Sequence, residues 1–310
     1  ALLLLSKSPR FVAKSRDRLS AMLILCDVDG TVVDNNQLVP DSARTALAQA
    51  NANGHILMLC TGRSMPEVYD FLWDLGFSGI VAANGSYVKI AEQVVVDNRI
   101  PAELVPQVSK YLEESGGTYV WQSPDKVNAS DGAWKVFGFT TEEQVLAAAR
   151  GSHNWEKQPA SHGGNWQAYI RQVLPYVQPG LPTDPNKVTF TLAATSPVTL
   201  DDMRERWGDY FEVVDGSYDP GNGSRGGEIV LKGNTKASGM LAAAKYLGVG
   251  IDQVVAIGDS SNDLEVLEAA GLGICMGNGT AAAKAAANWI STDIHDDGLA
   301  NALRYAGAIA

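Results

Sequence analysis

The stretch Met22–Thr31, MLILCDVDGT, sets both the fold and the chemistry. Met22–Cys26 is an unbroken apolar run, too short for a buried helix, and reads as a strand buried on both faces. It ends abruptly on Asp27-Val28-Asp29-Gly30-Thr31, two carboxylates one residue apart with a glycine ready for a sharp turn. The same arrangement recurs downstream. Ile56–Cys60 (ILMLC) runs into Thr61-Gly62-Arg63-Ser64, and Val254–Ile257 runs through Gly258 into Asp259-Ser260-Ser261-Asn262-Asp263. Helical patterns lie between these runs. Ser42–Asn53 places Ala43, Ala46, Leu47 and Ala50 on one face and ends at Gly54; Ser64, with Glu67 three residues on, opens a helix carrying Val68, Leu72 and Leu75 and closed by Gly76. Ile80–Ala83 is a third strand, Thr235–Leu247 a helix, Asp263–Ala270 a helix and Leu272–Met276 another strand. Buried strands alternating with helices predict an α/β fold with a Rossmann-like, doubly wound parallel sheet.

This alternation is interrupted between about Val88 and Leu231. Prolines and tryptophans concentrate there (Trp121, Trp134, Trp155, Trp166, Pro175, Pro179, Pro182, Pro185), and strand-like runs such as Lys187–Ala193 mix with helical ones such as Glu142–Ala149. The expected organisation is a core of residues 22–87 and 232–310, an inserted α+β cap of residues 88–231, and an N-terminal extension, residues 1–21. That extension is rich in Arg and Ser and poor in acids, which fits an organelle transit peptide and an upstream-start extension equally, and it takes no part in the fold reading.

The net charge of −11 disfavours nucleic acid and membrane surfaces as partners. It also repels phosphorylated molecules, so a phosphate site here must gather its positive charge locally, from a metal, a lysine or helix N-termini. Cys26, Cys60 and Cys275 lie in or beside strand-like runs, and an odd number without tight spacing fits buried thiols of a cytoplasmic protein rather than a disulfide or zinc framework. No apolar run is long enough to span a bilayer. The four histidines show no ligand spacing, and there is no strand-borne GxGxxG or P-loop.

In open parallel sheets ligands bind beyond the carboxyl ends of the strands. Asp27, Asp29, Thr61, Gly62, Asp259 and Asn262 all follow strand ends, and should converge on one lip of the sheet. Asp27 and Asp29 in one small site need a cation between them, and magnesium suits carboxylates and phosphate oxygens. An Asp-x-Asp alone is as easily an acidic turn. Thr61-Gly62-Arg63 offers a hydroxyl and free backbone N–H groups to an anion, while Ser64 also serves as a helix cap. Asp259 reads as a metal ligand; Asp263 reads equally as a ligand or a helix cap. Lys236 opens a helix, where a cation is unfavourable unless an anion lies near, and Lys232 competes with it for that role.

Together, DVDGT (27–31), TGR (61–63), Lys236 in EIVLKGNTKASG (228–239) and GDSSND (258–263) resemble the haloacid dehalogenase superfamily of phosphohydrolases, and the wider pattern is similar to its Cof-like branch with a type C2 cap. ANGSYV (83–88) and the tail from Cys275 to Leu303 add to the likeness. The resemblance implies that Asp27 is a nucleophile forming an aspartyl-phosphate and that Asp29 is the general acid and base. It implies Mg2+ held by the Asp27 and Asp259 side chains and the Asp29 carbonyl, with Asp263 supporting the metal. Thr61, Gly62, Lys236 and Asn262 would bind phosphate, with Lys236 rather than Lys232 in the family position. As a general acid Asp29 is expected to have a raised pKa. The implied activity is hydrolysis of phosphate monoesters of small metabolites, sugar phosphates first. Two rivals are a phosphomutase with the same intermediate and a non-catalytic phosphometabolite-binding protein.

Overall fold

A computed structural model describes residues 21–133, 172–216 and 223–310. The expected helix at 142–149, three of the cap tryptophans (Trp134, Trp155, Trp166), His153, His162 and residues 1–20 of the expected extension lie outside them.

The thirteen strands among these residues form two sheets. In chain order they are β1 (Leu23–Cys26), β2 (Ile56–Cys60), β3 (Gly79–Ala82), β4 (Tyr87–Ile90), β5 (Gln93–Asp97), β6 (Gly117–Gln122), β7 (Val127–Ala129), β8 (Lys187–Leu192), β9 (Phe211–Asp215), β10 (Arg225–Leu231), β11 (Val254–Gly258), β12 (Leu272–Cys275) and β13 (Trp289–Ile290). The helices used below are α1 (Asp41–Ala52), α2 (Asp70–Trp73), α3 (Val105–Glu114), α4 (Leu200–Trp207), α5 (Lys236–Leu247), α6 (Leu264–Ala269), α7 (Ala281–Ala286) and α8 (Gly298–Tyr305).

The large sheet has the order β13-β12-β11-β1-β2-β3-β4-β5, parallel from β13 through β3. Its strands β1, β2, β3, β11 and β12 are covered on both faces, as their unbroken apolar sequence requires. Ile24, Leu57, Leu59 and Ile257 pack on one side with α1 and α8; Leu23, Leu25, Met58 and Ala256 pack on the other with α5 and α6. The α/β, doubly wound reading therefore holds. The three thiols are buried and unpaired, and His55 is structural: its Nδ1 accepts the Met22 N–H at 3.2 Å.

Two expectations are adjusted by the structure. The large sheet does not stop near residue 87, because β4 and β5 return antiparallel onto β3, so the chain leaves that sheet only after Asp97. The helix expected to run from Ser64 is broken into a 3₁₀ turn, Met65–Glu67, and the short α2, with Val68 and Tyr69 extended between them. Arg63 accounts for the break: Nη1 binds the Glu67 carbonyl at 2.9 Å, and its guanidinium lies 4.8 Å from the centre of the Tyr69 ring.

The small sheet, order β7-β6-β8-β10-β9, is antiparallel. It alternates as a half-covered sheet should. Trp121, Val188, Phe190 and Ile229 form its core with α3 and α4. On the opposite parity stand Thr118, Val120, Gln122, Lys187, Thr189, Thr191 and Glu228, which line the cleft between the sheets.

Candidate active site

β1 is the switch point of the large sheet, with β2 on one side and β11 on the other. A crevice opens beyond the strand ends at such a point. Asp27 follows β1, Thr61 follows β2 and Asp259 follows β11, and all three line a cleft of about 910 Å³ shared with the small sheet.

Lys236 organises the deepest part. It is 1% exposed and stands at the first position of α5, where Thr235 caps the helix by accepting the Ser238 N–H. Its ammonium donates to Asp27 Oδ1 at 2.7 Å, Asp263 Oδ1 at 2.7 Å and Asn262 Oδ1 at 3.0 Å. Burial opposes its charge, yet the two carboxylates push its pKa above the ordinary lysine value. Lys232, the rival, is exposed and donates to the Gly208 carbonyl at 2.6 Å, away from this cluster.

Asp27, Asp259 and Asp263 each offer an oxygen, all within 4.8 Å of one another, a grouping able to hold a metal ion. Burial, then the neighbouring acids, pushes Asp259 up to about 7 despite Lys236 and a 3.0 Å hydrogen bond from Thr31 Oγ1. Burial raises Asp27 as well, with Lys236 pulling the other way. Carboxylates held so close that they resist ionising are a donor set suited to a hard divalent cation. The three do not stand alike. Asp263 already spends Oδ1 on Lys236 and Oδ2 on the Asp259 and Ser260 N–H groups, at 3.0 and 2.9 Å, so it braces the site. Gly30 makes room for Asp259: its φ is +83°, and a Cβ there would fall 2.5 Å from Asp259 Oδ2.

Thr61 is buried, with its Oγ1 accepting the Arg63 N–H at 3.1 Å. The Asn262 amide nitrogen faces Gly62, 3.3 Å from where a Cβ would stand. The Thr61–Gly62 turn and Asn262 thus border the same part of the cleft as Asp27.

Asp29 is held by a separate set of partners. Arg63 grips it through two bonds, Nε to Oδ2 at 2.8 Å and Nη2 to Oδ1 at 2.6 Å, and Gln37 Nε2 adds a third at 3.2 Å. Gln37 reaches it from a left-handed residue, φ 62°, in a turn held by Asp34, whose Oδ1 accepts the Asn36 and Leu38 N–H groups. Burial pushes the Asp29 pKa up, but the Arg63 charge and these hydrogen bonds outweigh it and hold the carboxyl below the ordinary value. The expected raised pKa is thereby corrected: Asp29 is held ionised in this arrangement, ready to accept a proton rather than to give one.

Three residues absent from the sequence reading of the site, Gln37, Lys187 and Glu228, also face it, and Arg63 of the TGR motif takes a side-chain role that reading did not give it. Arg63 and Gln37 set Asp29, while Lys187 and Glu228 come from the small sheet. Glu228 opens the EIVLKGNTKASG stretch with no side-chain role read for it, and for Lys187 the signal is strand parity with Thr189 and Thr191, visible once β8 and β10 are paired.

Comparison with known proteins agrees with this architecture. The family model for haloacid dehalogenase-like hydrolases matches residues 24–303. The chain is 43% identical over 285 residues to the Bacillus subtilis (strain 168) 5-amino-6-(5-phospho-D-ribitylamino)uracil phosphatase YitU, covering 91% of this chain and 96% of that protein. It is 25% identical over 299 residues to a second B. subtilis phosphatase of the same description, YcsE, covering 94% and 97%. A solved haloacid dehalogenase-like hydrolase from B. subtilis superposes with a TM-score of 0.70 at 20% identity over 92% of this chain and 99% of that one, a likeness of fold. This chain belongs to the haloacid dehalogenase-like hydrolase family. Within that family it is a phosphatase of the Cof-like kind. Among the described residues no helix is long and apolar enough to cross a membrane.

Proposed function

We propose that the chain hydrolyses phosphate monoesters of small metabolites, favouring those whose phosphate is carried on a sugar or polyol chain. In this reading an Asp27 oxygen attacks phosphorus. The bond from phosphorus to the ester oxygen breaks, and its electron pair leaves with the alcohol, which takes a proton from Asp29. Water then attacks the phosphorus of the aspartyl-phosphate, Asp29 takes the water proton, and the Asp27 carboxylate is released with inorganic phosphate. Splitting the displacement in two, with a carboxylate nucleophile, lowers each barrier. Because Asp29 is held ionised by Arg63, it must pick up a proton on binding substrate before the first step. Entry of the phosphate dianion beside it favours that.

Lys236 neutralises charge on the transferring group, and Thr61, the Gly62 N–H and Asn262 hold its oxygens. Asp27, Asp259 and the Asp29 carbonyl, with Asp263 behind them, would hold Mg2+, which supplies further positive charge to the phosphoryl oxygens. The small sheet, built from residues within the 88–231 insert, serves as the cap over the leaving group. The buried free thiols fit a cytoplasmic setting.

The observation that carries this reading is the Lys236 ammonium bridging Asp27 and Asp263 at 2.7 Å each, beside Asp259. The preference for a polyol chain rests on the activity named for YitU and YcsE. The test is phosphate release across a panel of phosphorylated metabolites, with magnesium and with a chelator. The expected result is magnesium-dependent release, fastest with sugar and polyol phosphates. Isomerised product without free phosphate would point to a mutase, and turnover unchanged by chelation would remove the metal.

A further inference from the structure

Lys187 is 1% exposed, yet it belongs to neither the metal-facing acids nor the Asp29 clamp. It opens β8, and Glu228 lies one register step away on the adjacent β10, where Lys187 pairs Val230 and Thr189 pairs Glu228. The two side chains are diagonal neighbours on one face of the small sheet. They meet at 2.6 Å. The same ammonium donates to the Gly62 carbonyl at 2.6 Å and lies 3.7 Å from Glu67. The other oxygen of Glu228 accepts Asn84 Nδ2 at 2.5 Å. Asn84 sits in a left-handed conformation, φ 50° and ψ 40°, with its N–H on the Thr61 carbonyl at 3.2 Å.

Gly62 is thus gripped on both sides, directly from across the cleft by Lys187 and from its own side by Asn84, whose side chain Glu228 holds from the small sheet. The Thr61 carbonyl is held through Asn84 and the Gly62 carbonyl through Lys187. Burying an ammonium is unfavourable even when it is paired, and apolar contacts would join two sheets with less desolvation. The charges also rule out a simple phosphate-attracting role, since Glu228 and Glu67 offset Lys187. What the arrangement does supply is a fixed orientation for one peptide in a loop that must meet phosphate within tenths of an ångström.

We infer that Lys187 and Glu228 are a positioning pair, a latch through which the small sheet sets the Thr61–Gly62 loop for phosphate binding. This rests on the reading of that loop as the phosphate grip. The latch makes phosphate affinity depend on the cap, whatever leaving group the cap accommodates.

The test compares wild type with Lys187→Met, Glu228→Gln, the double variant, Lys187→Arg and Asn84→Gly. Turnover is measured on two substrates that differ only in the leaving group, together with competitive inhibition by inorganic phosphate and the melting temperature. Wild-type turnover tests the phosphatase reading by itself; the ratio of variant to wild type tests the latch. Each single charge removal is expected to weaken phosphate inhibition and lower kcat/KM by about 10- to 100-fold, equally for both substrates. The double variant should cost no more than the worse single, and Lys187→Arg should recover most of the loss. Asn84→Gly, which keeps the left-handed backbone, should show the same pattern more weakly, and decides the matter if Lys187→Met does not fold. Folded variants within twofold of wild type would overturn the inference. So would losses that add in the double variant, or losses confined to one leaving group.

Discussion

Among the described residues two lysines are buried at the lip of this protein, and they differ in what surrounds them. Lys236 stands on the large sheet's side, at a helix start, and meets side-chain acids from two strand ends, Asp27 and Asp263. Lys187 comes from the small sheet and divides its ammonium between a backbone carbonyl and Glu228, with Glu67 close by. The first lies beside the acids where phosphoryl charge would gather. The second is neutralised by its own neighbours and touches the loop instead. A buried lysine therefore says little by its burial; the identity of its acceptors separates charge stabilisation from positioning.

The contrast is sharpest if each is broken separately. Lys236→Met is expected to lower turnover by about 10²–10³-fold, the scale of losing one stabilising donor from a preorganised site. Lys232→Met, four residues away but exposed on the Gly208 carbonyl, should stay within about twofold, since a solvated lysine contributes little. Phosphate-release kinetics on the two variants check this, and the reverse ranking would shift the charge-stabilising role to Lys232. The Lys236→Met loss should exceed that of Arg63→Met, which frees Asp29 from its clamp without touching Asp27. There kcat is expected to fall by at most about 10²-fold, the lower end of what a positioned acid–base group provides. That loss should be smallest for a leaving group acidic enough to depart unprotonated. A uniform loss across leaving groups would mean that Arg63 acts on phosphate rather than through Asp29.

Much of this was legible from residue order because it depends on local features. Apolar runs ending in short polar stretches gave β1, β2 and β11, and with them the position of Asp27, Thr61 and Asp259. The choice of Lys236 over Lys232 needed the family pattern, since both are lysines near a helix start. Other features depended on partners remote in the chain. The Asp29 carboxyl is lowered by Arg63, 34 residues on, and by Gln37 in an unusual backbone conformation, neither of which spacing reveals. The capping box read at Ser64 and Glu67 does form, but the helix it opens stops after one turn, where Arg63 takes the Glu67 carbonyl. Lys187 and Glu228 were hidden for a related reason. A polar residue on a strand is ordinary until the pairing shows that its face looks into a cleft and not into solvent.

The central claim is that Asp27 itself carries the phosphoryl group, and it is best tested by acid-quenching the magnesium-loaded enzyme during turnover and mapping modified peptides by mass spectrometry after borohydride reduction of any acyl phosphate. The account predicts reduction at Asp27 alone, lost in Asp27→Asn, whose melting curve stays cooperative while phosphate release ceases. Label on another residue, or turnover persisting in Asp27→Asn, would contradict it.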